Sequence, residues 1–196
     1  MRSFIKPAGK TYKVSCTDLF RQESTWSSLR VSRSQRTTRT CTSYEIPFMN
    51  IRKAIRKDID ALISFNEAMA LETEGKKLFT GTLRNGVEAV FDDEQKGFYL
   101  VAEDNGRAIG GLMITYEWSD WRNAWFWWIQ SVYVDPEYRG KRIYSQLYQF
   151  VKQQAAEAGN VCGFRLYVEK ENTIAQRVYE KLGMNETYYL MYEEKL

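Results

Sequence analysis

Between Ala124 and Ala158 the hydrophobic repeat changes period across a single turn. Residues Ala124 to Val134 carry the aromatic and β-branched side chains of a strand. Asp135-Pro136 ends that run, because proline cannot donate to a ladder and restricts the residue before it. Ile143, Leu147, Phe150, Val151 and Ala158 then recur at helical spacing. A strand that gives way so quickly to an amphipathic helix points to an α/β architecture, with the helix packed back on a sheet.

The flanking sequence extends that pattern. Asn50 to Ile55 reads as a short strand, and Asp58 as the N-cap of a helix whose inner face carries Ile59, Leu62, Ile63, Asn66 and Met69. Leu83, Val87, Val90 and Phe91 mark a second, shorter helix. Phe98 to Glu103 and Ala108 to about Tyr116 read as strands joined by Asp104-Asn105-Gly106, a hairpin turn that tolerates positive φ. A Trp-rich loop precedes the strand at Ala124. Beyond the long helix, Phe164, Leu166 and Val168 alternate with Arg165, Tyr167 and Glu169, which reads as a strand with one wet face. A last helix is expected from about Glu171 to Leu182, with Ile174, Val178 and Leu182 in register and Gly183 as its stop, followed by a final β segment from Thr187 to Glu193. The expected order is β-α-α-β-β-β-α-β-α-β, a mixed α/β sheet with helices on both faces.

The first 48 residues differ in kind. They hold nine Lys and Arg against three Asp and Glu, and 15 Ser and Thr, with few large apolar side chains. Such a stretch buries too little to offset its ordering entropy, so a disordered basic arm over 1–48 and a folded domain over 49–196 are expected. The arm also suits an organelle transit peptide, being rich in Arg and Ser and poor in acid. A nucleic-acid-binding role is not expected, because no aromatic residue interleaves the Arg33–Arg39 tract to stack on bases.

Of the 196 residues none is histidine, which removes the Ser-His-Asp triad, the Cys-His dyad and His-ligated zinc; no metal is expected. Any general base is then a carboxylate, tyrosine, lysine, backbone group or water. The three cysteines are far apart and form no CxxC, which fits a reducing compartment, and the cytoplasm is the expected location unless the arm directs the chain to an organelle. No apolar run approaches the roughly 20 residues that cross a bilayer, so no membrane partner is expected.

The chemistry concentrates in Val132-Tyr133-Val134-Asp135-Pro136-Glu137-Tyr138-Arg139-Gly140-Lys141-Arg142-Ile143-Tyr144. A helix that starts just after a strand aims its unpaired N–H groups at one point, which attracts anions. Gly140 admits a ligand close to the backbone, and Arg139, Lys141 and Arg142 add positive charge. A pyrophosphate would be served there; a solvated basic helix start is the other reading of the same residues.

This turn resembles that of the GNAT acyltransferase superfamily, in which a strand leads into an R-G-x-G-x-G-type turn that cradles the pyrophosphate of acetyl-CoA. A second motif, Asn172, Ala175, Tyr179, Leu182 and Gly183 in ENTIAQRVYEKLGM, matches the family's N-x-x-A-x-x-x-Y-x-x-x-G helix at the expected distance. The resemblance spans roughly Asn50 to Glu193. It implies a mixed, mostly antiparallel twisted sheet and transfer of an acetyl group from acetyl-CoA to an amine. By the same resemblance, backbone groups of Val132, Tyr133 and Val134 would hold the thioester and pantetheine. The turn from Arg139 through Gly140, Lys141, Arg142 and Ile143 to Tyr144 would hold the pyrophosphate. Asn172 and Ala175 would meet the CoA chain, and Tyr179 would protonate the departing sulfur. Two positions depart from the pattern: Arg142 and Tyr144 stand where the family has later glycines.

The acceptor side is drawn from fewer signals. Polyamine-acetylating relatives carry a glutamate where this chain has Gln130, which cannot take a proton. Glu72 and Glu74, in ALETEGKK, are the candidate carboxylates for binding an ammonium or drawing off its proton. Trp118 and Trp121 are candidates for walling an acceptor site, since aromatic faces attract cations, with Asp120 and Glu117 favouring a cationic acceptor and Gln130 as a further substrate-binding candidate. A small cationic amine is the expected acceptor, with a protein lysine or N-terminus, or a non-catalytic CoA-binding module, as the rival readings. A homodimer is the expected assembly.

Overall fold

The computed structural model describes residues 49–194. The expected arm lies outside the described residues. Strands β1 (Asn50–Lys53), β2 (Phe98–Asp104), β3 (Arg107–Ser119), β4 (Ala124–Val134) and β5 (Val161–Arg165) form one sheet in that order. Its first three pairings are antiparallel, and only β4 and β5 run parallel. Helices α1 (Ile59–Glu74), α2 (Thr80–Asp92), α3 (Ile143–Ala158) and α4 (Thr173–Lys181) complete the fold.

Alternation in β2 divides the core. Leu100 and Ala102 join Ile109, Leu112, Ile114, Trp127 and Ile129 under α3, whose Ile143, Leu147, Tyr148, Val151 and Ala155 are buried. Tyr99 and Val101 face the other way, under Ile59, Leu62 and Ile63 of α1 and Val87 and Val90 of α2. Because both faces of β2 are covered, Leu100 through Ala102 are all fully excluded from water. Asn66, the polar residue on α1's inner stripe, is buried and donates its side-chain amide to the Leu62 carbonyl one turn earlier. The β2–β3 hairpin turns through Asn105 and Gly106, both at positive φ, as Asn-Gly favours.

Several expectations fail. The strand expected over Phe164–Glu169 instead spans Val161–Arg165, so Leu166 and Val168 lie beyond it. Asp58 precedes α1 but caps nothing in it; its buried carboxylate accepts from the Arg52 guanidinium at 2.7 and 2.9 Å and from the Ile55 N–H. On α3 the inward alanine is Ala155, while Ala158 is exposed. Ile174 of α4 is 78% exposed, so that helix contributes its Leu182 end, and Met184 beyond it, to the core instead of a full stripe. Thr187–Glu193 is not a strand: its apolar side chains suit one, but no ladder among the described residues receives it.

Candidate functional site

The site grows out of an irregularity in β4. Along its β3 edge Gly111 faces Tyr133 and Met113 faces Gln130, so Ser131 and Val132 together oppose Leu112. Ser131 takes up the extra residue at φ 48°, in the left-handed region. A bulge of this kind bends a strand and re-aims the residues after it. Before the bulge Trp127 and Ile129 face α3; after it Val132 and Val134 do, and Tyr133 turns to the α1 side, its ring stacked 5.1 Å from Phe65.

On its other edge β4 loses its neighbour. Pairing with β5 ends at Trp128 and Arg165, while β4 runs on to Val134. A slot therefore opens beside residues 129–134, and strand groups facing it have no sheet partner among the described residues. Exposed backbone donors and acceptors of this sort are a template for an extended polar ligand.

The slot leads to the start of α3. Asp135 accepts from the Glu137 N–H and sets up the Pro136–Tyr138 turn, after which Gly140 (φ 79°) and Arg142 (φ 60°) both adopt left-handed geometry. No side chain caps α3, so its first N–H groups remain available to an anion. A Cβ built on Gly140 would meet nothing within 4 Å, so the space beside it is open. Tyr144 does not fill it: its ring lies against Tyr148 and Tyr179 instead. An uncapped helix start, open space beside Gly140 and a strand edge thus lie in series.

The sequence pattern of the Acetyltransferase (GNAT) family matches residues 66–184. The chain belongs to the GNAT acetyltransferase family. A structure described as a "possible acetyltransferase" from Clostridium difficile 630 is 47% identical, superposes with a TM-score of 0.71, and covers 76% of this chain and 97% of its own. An acetyltransferase from Clostridium acetobutylicum, solved with acetyl-CoA, is 22% identical at TM-score 0.63, covering 74% of this chain and 96% of that one. The aminoglycoside enzyme AAC(6')-Iy, solved with a CoA bisubstrate analogue, is 18% identical at TM-score 0.61, covering 76% and 98%. No curated protein matches the chain.

Within this GNAT fold the motif residues lie on the turn before α3 and at α4. Tyr179 projects from α4, its ring centroid 5.4 Å from that of Tyr144. Burial raises its hydroxyl pKa, which keeps the group protonated and able to donate. Asn172 caps α4 by accepting from the Ala175 N–H at 3.1 Å; its amide N–H groups remain for another partner. Arg139 is already engaged: Nε donates to the Val134 carbonyl at 2.9 Å and Nη2 to Glu72 at 2.7 Å. Lys141 lies over the Tyr138 ring at 4.5 Å. Arg142 is exposed at the turn itself.

The acceptor candidates separate into two groups. Glu72 stands beside Tyr133 and Arg139, at the slot. Glu74 is ion-paired with Lys76, whose ammonium pKa is raised first by that hydrogen bond and further by the nearby charges of Glu193 and Glu169. Neither carboxylate is thus an uncommitted base. Trp118 is in β3 rather than a loop, edge-to-face with Trp125 on the α3 side of the sheet. Trp121, 89% exposed, and Asp120, which accepts from the Trp121 N–H, form the β3–β4 turn. At about 3.4 Å per residue these three lie roughly 25 Å along β4 from Tyr133, so they do not meet Glu72. Gln130 shares the other face and donates to Thr115 Oγ1.

Sequence reasoning missed two features. One is the Ser131 bulge, which no turn residue announces. The other is the engagement of Glu117, expected with Asp120 to favour a cationic acceptor: on the Gln130 face it accepts from Trp128 Nε1 at 2.6 Å and pairs with Arg165, itself 3.8 Å from the Phe126 ring centroid. Alternating polarity in β3 and β5 carried that signal. Among the described residues no group of three or more acidic, cysteine or histidine side chains is placed to hold a metal ion, and no helix is long and apolar enough to cross a membrane.

Proposed function

We propose that the chain transfers an acetyl group from acetyl-CoA to the primary amine of a small cationic molecule. The observation that carries this reading is the continuity of the free β4 edge after Ser131 with the uncapped start of α3, where Tyr179 lies against Tyr144. Acetyl-CoA supplies the acetyl group as a thioester. On this reading the first N–H groups of α3 and the Arg142 charge bind its diphosphate. The backbone of Val132, Tyr133 and Val134 aligns the pantetheine arm and polarises the thioester carbonyl, and the Asn172 amide adds a donor. Tyr179 gives a proton to sulfur as the C–S bond breaks and the C–N bond forms; the proton lost by the amine leaves through water, since Glu72 and Glu74 are engaged in ion pairs.

The preference for a cation rests on the acidic character of the α1 end, where Glu74, Glu169 and Glu193 all act on Lys76 and Glu72 borders Tyr133. Relatives of the same fold solved with acetyl-CoA and with an acylated aminoglycoside analogue are in keeping with it. The test is acetyl-CoA-dependent thiol release against a panel of amines, amino acids and peptides. Turnover with small polyamines or amino sugars is expected. Turnover only with peptides moves the acceptor to protein, and carrier binding without turnover on any acceptor leaves a binding module.

A further inference from the structure

Tyr144 carries the one buried side-chain polar atom among the described residues that has no hydrogen-bond partner, its hydroxyl. An unpaired buried hydroxyl is costly, and a core built only for stability would hold phenylalanine there. The ring is fixed on both sides, stacked on Tyr148 within α3 and edge-to-face with Tyr179 of α4. It packs on the same apolar cluster as Val132 and Val134 of β4 and Phe164 and Leu166 at the end of β5. The hydroxyl is thus held, protonated, in a dry position next to the group proposed to protonate the leaving sulfur. Burial drives its pKa upward, with the neighbouring Tyr179 and Tyr148 hydroxyls adding to the shift, so it serves as a donor and not as a base.

We infer that the Tyr144 hydroxyl is a second donor to the carrier's sulfur, acting beside Tyr179 and left unpaired until the carrier binds. This rests on the acetyl-CoA reading above. The residue that breaks the glycine pattern of the turn would then be a gain for this chain: the departing thiolate is met by two phenolic donors, one of which passes its proton to sulfur while the other shares its own in a hydrogen bond. The protein without ligand bears the cost of the orphan group, and the bound state recovers it.

The test compares wild-type protein with Tyr144→Phe by calorimetric titration with CoA and with desulfo-CoA, and by thermal denaturation of both proteins without ligand. Loss of the hydroxyl is expected to weaken CoA binding about fivefold, the worth of one hydrogen bond. Desulfo-CoA affinity should be unchanged, and the Tm without ligand should be unchanged or higher. A merely structural tyrosine, or one bonded to internal water, would lower that Tm, which overturns the inference. Equal CoA affinity in the two proteins, or an equal loss for CoA and desulfo-CoA, overturns it as well. If wild-type protein fails to bind CoA at all, the acetyl-CoA reading itself is what falls.

Discussion

Arg139 and Glu72 form an ion pair of 2.7 Å that ties the last turn of α1 to the turn before α3, 67 residues further along the chain. The same guanidinium is held to the Val134 carbonyl and lies 5.7 Å from the Tyr133 ring centroid. One arginine therefore joins the end of α1 to the end of β4. Both partners are about half exposed, so the pair contributes little to folding; its value is in placement.

Glu72→Gln is accordingly expected to change stability by no more than about 0.5 kcal/mol. If Glu72 receives the ammonium of the acceptor, steady-state kinetics will show a raised acceptor KM with the acetyl-CoA KM unchanged. A raised acetyl-CoA KM instead would show that Glu72 acts through Arg139 on the turn.

Tyr179→Phe keeps the ring that packs on Tyr144 and removes the proposed proton donor. Thiol release should fall about 100-fold in kcat, the lower range for a general acid, while acetyl-CoA affinity is nearly kept. Because burial raises the Tyr179 pKa above its ordinary value of about 10, wild-type kcat should show no loss attributable to this group up to that pH. A kcat within threefold of wild type would remove Tyr179 from the reaction.

Much of this arrangement was legible in the residues. The strand, Pro turn and helix declared themselves because the hydrophobic period changes within ten positions, and Gly140 marked a turn residue at positive φ with open space beside it. The Ser131 bulge left no such mark. Strict alternation from Ile129 puts Val132 and Val134 on the wrong face, and only the β3 register reveals the slip. Trp118 was misplaced because a Trp-rich stretch reads equally as loop or strand until its partner, Trp125, is known. Thr187–Glu193 has strand-like side chains, but strands also need a ladder, and that is not a local property. The engagement of Glu72 by Arg139 is equally non-local.

At Arg142 the backbone and the side chain pull in different directions. Its φ of 60° is one that glycine adopts freely and that costs other residues about 1 kcal/mol. Two substitutions separate the effects. Arg142→Ala removes the charge and keeps the strain; Arg142→Gly removes both. Both should weaken CoA binding to a similar extent and flatten its salt dependence. In thermal denaturation the glycine variant should exceed the alanine variant by about 0.5–1 kcal/mol, the relief of strain being partly offset by the freedom glycine adds to the unfolded chain. Equal stabilities would mean that the turn relaxes out of the left-handed region when unliganded.

Away from the slot, Asp58 gives the fold a defined acid sensitivity. It is 5% exposed; burial alone would raise its carboxyl pKa, but the Arg52 guanidinium and the Ile55 N–H outweigh that and hold it below the ordinary value. Hydrogen bonding by Arg52 lowers the Glu103 pKa in the same way. A carboxyl that is more acidic in the native state stabilises the fold fully at pH values above its unfolded pKa, about 3.9 for aspartate. As pH falls below that value the unfolded chain takes up the proton first, and the contribution is lost until native Asp58 is protonated too. Wild-type stability should thus decline steeply below about pH 4. Asp58→Asn should be less stable by about 2 kcal/mol at pH 7, the worth of a hydrogen bond to a charged group, and should lose less on acidification. Denaturant titrations of both proteins between pH 7 and pH 3 read the difference, and parallel curves would show that the Arg52–Asp58 pair is no tighter in the native protein than in the unfolded chain.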